Sequence, residues 1–83
     1  MINKIEFLEK FKSLFDETDL NEIKLESEFK KLEEWSSLTI LALIVMCEED
    51  FQCQISPTQI ENSKYVIDLI FCLEKNKDNN VEL

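Results

Sequence analysis

Two adjacent hydroxyls, Ser36 and Ser37, stand between Trp35 and a run of apolar or small residues from Leu38 to Cys47 that only Thr39 interrupts. Serine is a favoured helix N-cap because its oxygen accepts a hydrogen bond from an orphaned backbone N–H of the first turn. One hydroxyl suffices for the cap, and the other is left over. The chain has no histidine. Neither a serine–histidine–aspartate nor a cysteine–histidine arrangement can therefore be assembled, which rules out self-contained nucleophilic catalysis of those kinds. The cysteines, Cys47, Cys53 and Cys72, are odd in number and lack C-x-x-C spacing. Without histidine a metal site would need all three thiolates and a carboxylate, and no metal is expected. Cys47 and Cys72 fall at apolar-face positions, where a free thiol behaves as a small hydrophobe.

The helix that must position the spare hydroxyl is written from the serine pair to Phe51. At 3.6 residues per turn, Ile40, Leu43, Ile44, Cys47 and Phe51 form its core stripe. A second strip, Ser37, Leu41, Val45 and Glu48, lines up about a third of a turn away, with a hydroxyl at one end and the acidic Glu48-Glu49-Asp50 at the other. Such a strip has two explanations: a helix buried on two sides of a small bundle, or an apolar face left for a partner.

Composition narrows the function classes. A chain of 83 residues with 45% hydrophobic content allows one domain and one small core, with no room for an enclosed active-site cavity fed by several loops, so no enzymatic activity is expected. Eighteen acidic against nine basic residues give a net charge of −9, which argues against nucleic acid and anionic membrane surfaces and for partners with basic patches. No apolar run reaches a membrane span. Glu6 and Glu9, interleaved with Ile2, Ile5, Phe7 and Leu8, do not read as a secretory signal, so a cytoplasmic chain is expected; a monomer is expected as well.

Around the central helix the remaining elements are short. Ile2 to Phe15 predicts a first helix capped by Asn3, with Ile5, Leu8, Phe11 or Lys12, and Phe15 inward and Phe7 and Leu14 widening the face. A long connection follows, opening on the turn-forming cluster Asp16 to Asp19. Within it Ile23, Leu25, Phe29, Leu32 and Trp35 are apolar, and the three-residue spacing of the last three predicts a short helical turn that pins the loop, with Trp35 partly buried. Ser56-Pro57 opens a short helix through Glu61 anchored by Ile60. Asn62 to Lys64 makes a turn, and Tyr65 to Lys75 predicts the last helix, with Val66, Leu69, Ile70 and Leu73 inward. The domain is expected over residues 1–75, with 76–83 a frayed tail. The class is all-α: three main helices and a short one, with a long first loop.

The segment Phe29-Lys30-Lys31-Leu32-Glu33-Glu34-Trp35-Ser36-Ser37-Leu38, the apolar helix ending Glu48-Glu49-Asp50-Phe51, then Ile55-Ser56-Pro57 and Val66-Ile67-Asp68-Leu69, resembles the acyl and peptidyl carrier proteins from about Ile5 to Leu73. In that family an Asp-Ser-Leu motif opens the second helix and its serine carries 4′-phosphopantetheine; by position that serine is Ser37. Three positions depart from the pattern. Ser36 replaces the usual aspartate, Gln52 stands where glycine often follows the helix-ending phenylalanine, and Tyr65 stands where threonine often precedes Val-x-Asp-Leu.

The resemblance implies a four-helix carrier fold. It implies a phosphopantetheinyl transferase that draws on coenzyme A, a loading ligase for acyl or aminoacyl groups, and downstream biosynthetic enzymes of fatty acid, polyketide or nonribosomal-peptide type. Docking would use Ser36, Leu38, Leu41, Val45, Glu48 and Glu49. Two alternatives stand beside it: a carrier-like adaptor that is never modified, and an unrelated acidic helical module that binds a partner through the Leu41/Val45 strip.

Overall fold

Asn3 caps the first helix as expected, its Oδ1 accepting from the Glu6 N–H at 2.9 Å. In the computed structural model, which describes residues 2–80, this helix, α1, spans Lys4–Lys12 and stops short of Phe15. Two tight turns, Leu14 N–H to Phe11 O and Phe15 N–H to Lys12 O, then swing Phe15 under the helix end. The inward face differs from the expected one. Phe7, Phe11 and Phe15, spaced by four, are buried together with Ile2, whereas Ile5 is 75% exposed. Ile5 lies two residues, about 200°, from Phe7 around the helix, so burying the three large rings turns it outward.

The long connection is held by aromatic packing and by backbone pairing. It contains two 3₁₀ turns, Leu20–Glu22 and Phe29–Lys31, and Phe29 is fully buried while Leu32 and Trp35 are partly buried, as their spacing predicts. Ring centroids run Phe51 to Phe7 at 5.6 Å, Phe7 to Phe11 at 6.1 Å, Phe11 to Phe29 at 6.1 Å and Phe29 to Trp35 at 4.8 Å, the last two edge-on. This chain of rings ends one residue before Ser36. Upstream in the same loop, the carbonyls of Ser27 and Leu25 accept from the N–H groups of Val66 and Ile67 at 3.1 and 2.9 Å, satisfying donors that a helix start leaves orphaned.

Helix α2, Ser37–Phe51, buries Leu43, Cys47 and Phe51 as expected, but Ile40 and Ile44 only in part. Thr39 and Met46 take the depth instead. Thr39 can do so because its hydroxyl donates to the Glu34 carbonyl at 2.8 Å, so its own buried oxygen is paired. The helix ends on Gln52 in a left-handed conformation (φ 50°, ψ 43°), where the Cys47 carbonyl accepts from the N–H groups of Gln52 and Cys53. A side chain with a Cβ is strained there. Gln52→Gly should therefore stabilise the fold by about 1 kcal/mol, raising the urea midpoint at constant m-value. An unmoved midpoint would show that the surroundings already relieve the strain.

Two further helices close the bundle. Helix α3, Pro57–Asn62, carries a reciprocal cap in which Ser56 Oγ accepts from Gln59 N–H and Gln59 Oε1 from Ser56 N–H, both at 3.1 Å. Helix α4, Val66–Asn80, buries Val66, Leu69, Ile70 and Leu73, and the Asp68 carboxylate accepts from the Lys64 and Tyr65 N–H groups at 2.9 and 2.8 Å. It continues past the expected end at Lys75. Asn76 donates to the Gln54 carbonyl at 2.7 Å and pairs amide to amide with Gln59, so the next turn starts from a fixed point. The rest of the expected tail, residues 81–83, lies outside the described residues. The architecture is a small all-α bundle, with no strand among the described residues and no described helix long and apolar enough to cross a membrane.

Candidate functional site

The serine pair divides the roles that the sequence left open. Ser36 has extended backbone (φ −156°, ψ 177°) and is the cap, its Oγ accepting from the Thr39 N–H at 3.4 Å and lying 3.3 Å from the Thr39 hydroxyl. Ser37 is the first helical residue and is exposed, and its hydroxyl has no partner among the described residues. It therefore stands at the positive end of a fifteen-residue helix, where backbone N–H groups favour a bound anion.

From Ser37 the second strip runs down the exposed side of α2. Leu38 is 78%, Leu41 60% and Val45 51% exposed, and Glu48 and Glu49 are exposed beyond them. The other large exposed apolar side chains, Ile5, Leu20, Tyr65 and Phe71, stand on separate elements. Burial of α2 on two sides is thus corrected: the strip faces solvent. An open groove of about 430 Å³ lies between it and the end of α1, lined by Leu14, Leu41, Ala42, Val45 and Met46, with Glu49 and Asp50 at its acidic end. Ser36, Leu38, Leu41, Val45, Glu48 and Glu49 are all brought to one helix with Ser37 at its head.

One residue at the site is invisible in the sequence. The Glu34 carboxylate accepts from the backbone N–H groups of Asp16, Glu17 and Thr18 at 3.1, 3.0 and 2.6 Å, and also from the Thr18 hydroxyl. The hydrogen bond from the Thr18 hydroxyl and those from the three N–H groups hold its carboxyl below its ordinary value of 4.5, against partial desolvation, which pushes it up. A lowered folded pKa contributes stability above the unfolded value that is lost as pH falls below about 4.5. Its partners lie 16 to 18 residues away in sequence, so no local spacing marks it. Glu34 also lines an acidic cleft of about 630 Å³ with Glu17, Asp19, Glu22, Glu33 and Lys31.

The thiols belong to the core. Burial pushes the Cys47 thiol up to about 12 and raises that of Cys53, which donates to the Leu73 carbonyl at 3.3 Å. Both stay protonated at neutral pH and are poor nucleophiles. Cys72 is partly buried beside the Ser63 hydroxyl at 3.7 Å. No cluster of three or more potential metal ligands occurs among the described residues. What the site offers is a free hydroxyl without a base of its own, beside an apolar and acidic surface. No family model matches the chain, and no curated protein matches it.

Proposed function

We propose that this chain is a free-standing acyl or aminoacyl carrier whose Ser37 hydroxyl is the attachment point for 4′-phosphopantetheine. The observation that carries the reading is the placement of an exposed, unpartnered hydroxyl on the first residue of α2, at the head of an exposed apolar strip that ends in acid. The hydroxyl has no base beside it, so a transferase must supply one. There the Ser37 oxygen would form a bond to the phosphorus bearing the pantetheine arm of coenzyme A, the pyrophosphate bridge would break, and adenosine 3′,5′-bisphosphate would leave while the hydroxyl proton passes to the transferase. The residues present fit the product: the new phosphodiester is an anion, and the first N–H groups of α2 with their dipole favour one at that place. Once attached, the group supplies a thiol for holding acyl or aminoacyl cargo as a thioester.

The chain's own residues do the rest by presenting a surface. Leu38, Leu41 and Val45 offer a small apolar patch, and Glu48 and Glu49 orient a basic patch on the transferase, the loading ligase and downstream enzymes. Acid meeting base raises encounter rates, and a small interface permits release to the next enzyme. The test is intact mass after incubation with coenzyme A and a broad-specificity phosphopantetheinyl transferase. One added phosphopantetheine is expected. A folded protein that gains nothing would sink this reading for that transferase.

A second reading, an unmodified docking adaptor of the same shape, is favoured by Ser36, which caps α2 without supplying a carboxylate for a transferase cation. Ser36→Asp separates the two. Aspartate caps as well as serine and adds charge at the helix N-terminus, so it should stabilise the fold by about 0.5 kcal/mol and speed modification. An unchanged transferase rate would mean that residue 36 does not limit docking.

A further inference from the structure

We infer that Glu34 is the positioning residue for the Ser37 hydroxyl, tying the loop after α1 to the first turn of α2 through its carboxylate and its carbonyl. The inference rests on the carrier reading for what Ser37 does, but its geometry stands independently. On one side the carboxylate gathers the N–H groups of Asp16, Glu17 and Thr18 and the Thr18 hydroxyl. On the other, the carbonyl of the same residue accepts from the Thr39 hydroxyl at 2.8 Å, and Thr39 in turn meets the Ser36 oxygen through its N–H and its hydroxyl. Ser37 lies inside that circuit, between the cap Ser36 and the buried Thr39.

The circuit matters because the Ser37 N–H and hydroxyl have no hydrogen-bond partner of their own among the described residues. The flanking Leu38 is exposed, and the first turn of a helix lacks the backbone partners that secure later turns. Trp35, between Glu34 and the cap, is fixed on one side by Phe29. Glu34 fixes the other side, and a carboxylate accepting several N–H and O–H bonds is held more firmly than a neutral acceptor. A hydroxyl that must meet a reacting phosphorus within a fraction of an ångström gains rate from such ordering. The hydroxyl's own exposure is untouched, so Glu34 acts through the backbone and not on the reacting atoms.

The test uses the full chain and its Glu34→Ala and Glu34→Gln variants, with two readouts. In amide hydrogen exchange, Glu34→Ala should lower protection about tenfold at residues 16–18 and at Thr39 and Ile40, whose N–H groups bond to Ser36, while leaving Leu69 and Leu73 unchanged. Glu34→Gln keeps an acceptor oxygen and should restore part of that protection. With the transferase, Glu34→Ala should lower kcat about tenfold with KM unchanged, because the strip that docks is intact. As pH falls below about 4.5, the wild type should lose protection at these residues and Glu34→Gln should not follow it. This comparison separates Glu34 from Asp16, Glu17, Asp19, Glu22, Glu33 and Lys31, which share the cleft or the turn. Unchanged protection at Thr39 and Ile40 in Glu34→Ala, or an equal loss throughout α4, would overturn the inference. A wild type that accepts no phosphopantetheine would remove the carrier reading alone, since the exchange arm still decides whether Glu34 orders the site.

Discussion

Ser37→Ala should take up no phosphopantetheine under conditions in which the wild type gains one per chain, and it should do so while remaining folded. The second half gives the first its meaning. Residue 37 is the first helical position, its side chain is exposed, and the cap hydroxyl belongs to Ser36. Alanine has the higher helix propensity and removes no hydrogen bond found among the described residues, so stability should stay within about 0.5 kcal/mol. A lost mass gain with an unchanged urea midpoint therefore reports a missing acceptor atom and not a disordered helix start. Should the gain persist in Ser37→Ala and vanish in Ser36→Ala, the division of labour between the two serines is reversed, and the cap geometry at Ser36 is not what modification sees. Cys47 and Cys53 offer no competing acceptor in the folded protein, since both are buried and held protonated.

Those features were legible in sequence wherever the determinant is local. A cap serine followed by an apolar run gives α2, Ser56 with Pro57 gives α3, and the i, i+3, i+4, i+7 set Val66, Leu69, Ile70 and Leu73 gives α4, because caps and periodicity act within a turn or two. The strip of Leu41 and Val45 was legible as a stripe but not as a surface. Whether a second apolar face is covered depends on where the other helices land, and α1 and α4 pack elsewhere. The same limit misplaced Ile5: both faces of α1 carry apolar residues, and the choice falls to the three phenylalanines that find Phe29 and Phe51 across the bundle. Glu34 was illegible for a related reason. Nothing near residue 34 distinguishes this carboxylate from Glu33, and only the return of the chain at Asp16 to Thr18 gives it donors.

The largest stability loss is expected from Phe29→Ala. The ring is fully buried, meets Phe11 edge-on at 6.1 Å and Trp35 edge-on at 4.8 Å, and is the inward anchor of a 3₁₀ turn of three residues. Removing a buried phenylalanine costs about 3–5 kcal/mol in transfer and cavity terms. A domain of this length has about 4–12 kcal/mol in all, so the variant should be marginal, with its urea midpoint near or below half that of the wild type. The loss is directed as well as large. Phe29 is the ring through which α1 reaches Trp35, and Trp35 precedes the cap of α2, so loosening it frees the helix start from the core before α3 or α4 is touched. Phe29→Leu, which keeps most of the buried area, should retain enough stability for the folded protein to be assayed. In that variant the Trp35 fluorescence should shift towards that of a solvated indole and amide protection at Thr39 and Ile40 should fall further than at Leu69 or Leu73. A Phe29→Ala cost below about 1 kcal/mol would mean that the long connection is held by its backbone bonds to Val66 and Ile67 and by Glu34, not by the chain of rings. The start of α2 would then depend on polar contacts that weaken in acid, and the site would be pH-sensitive where packing would have made it indifferent.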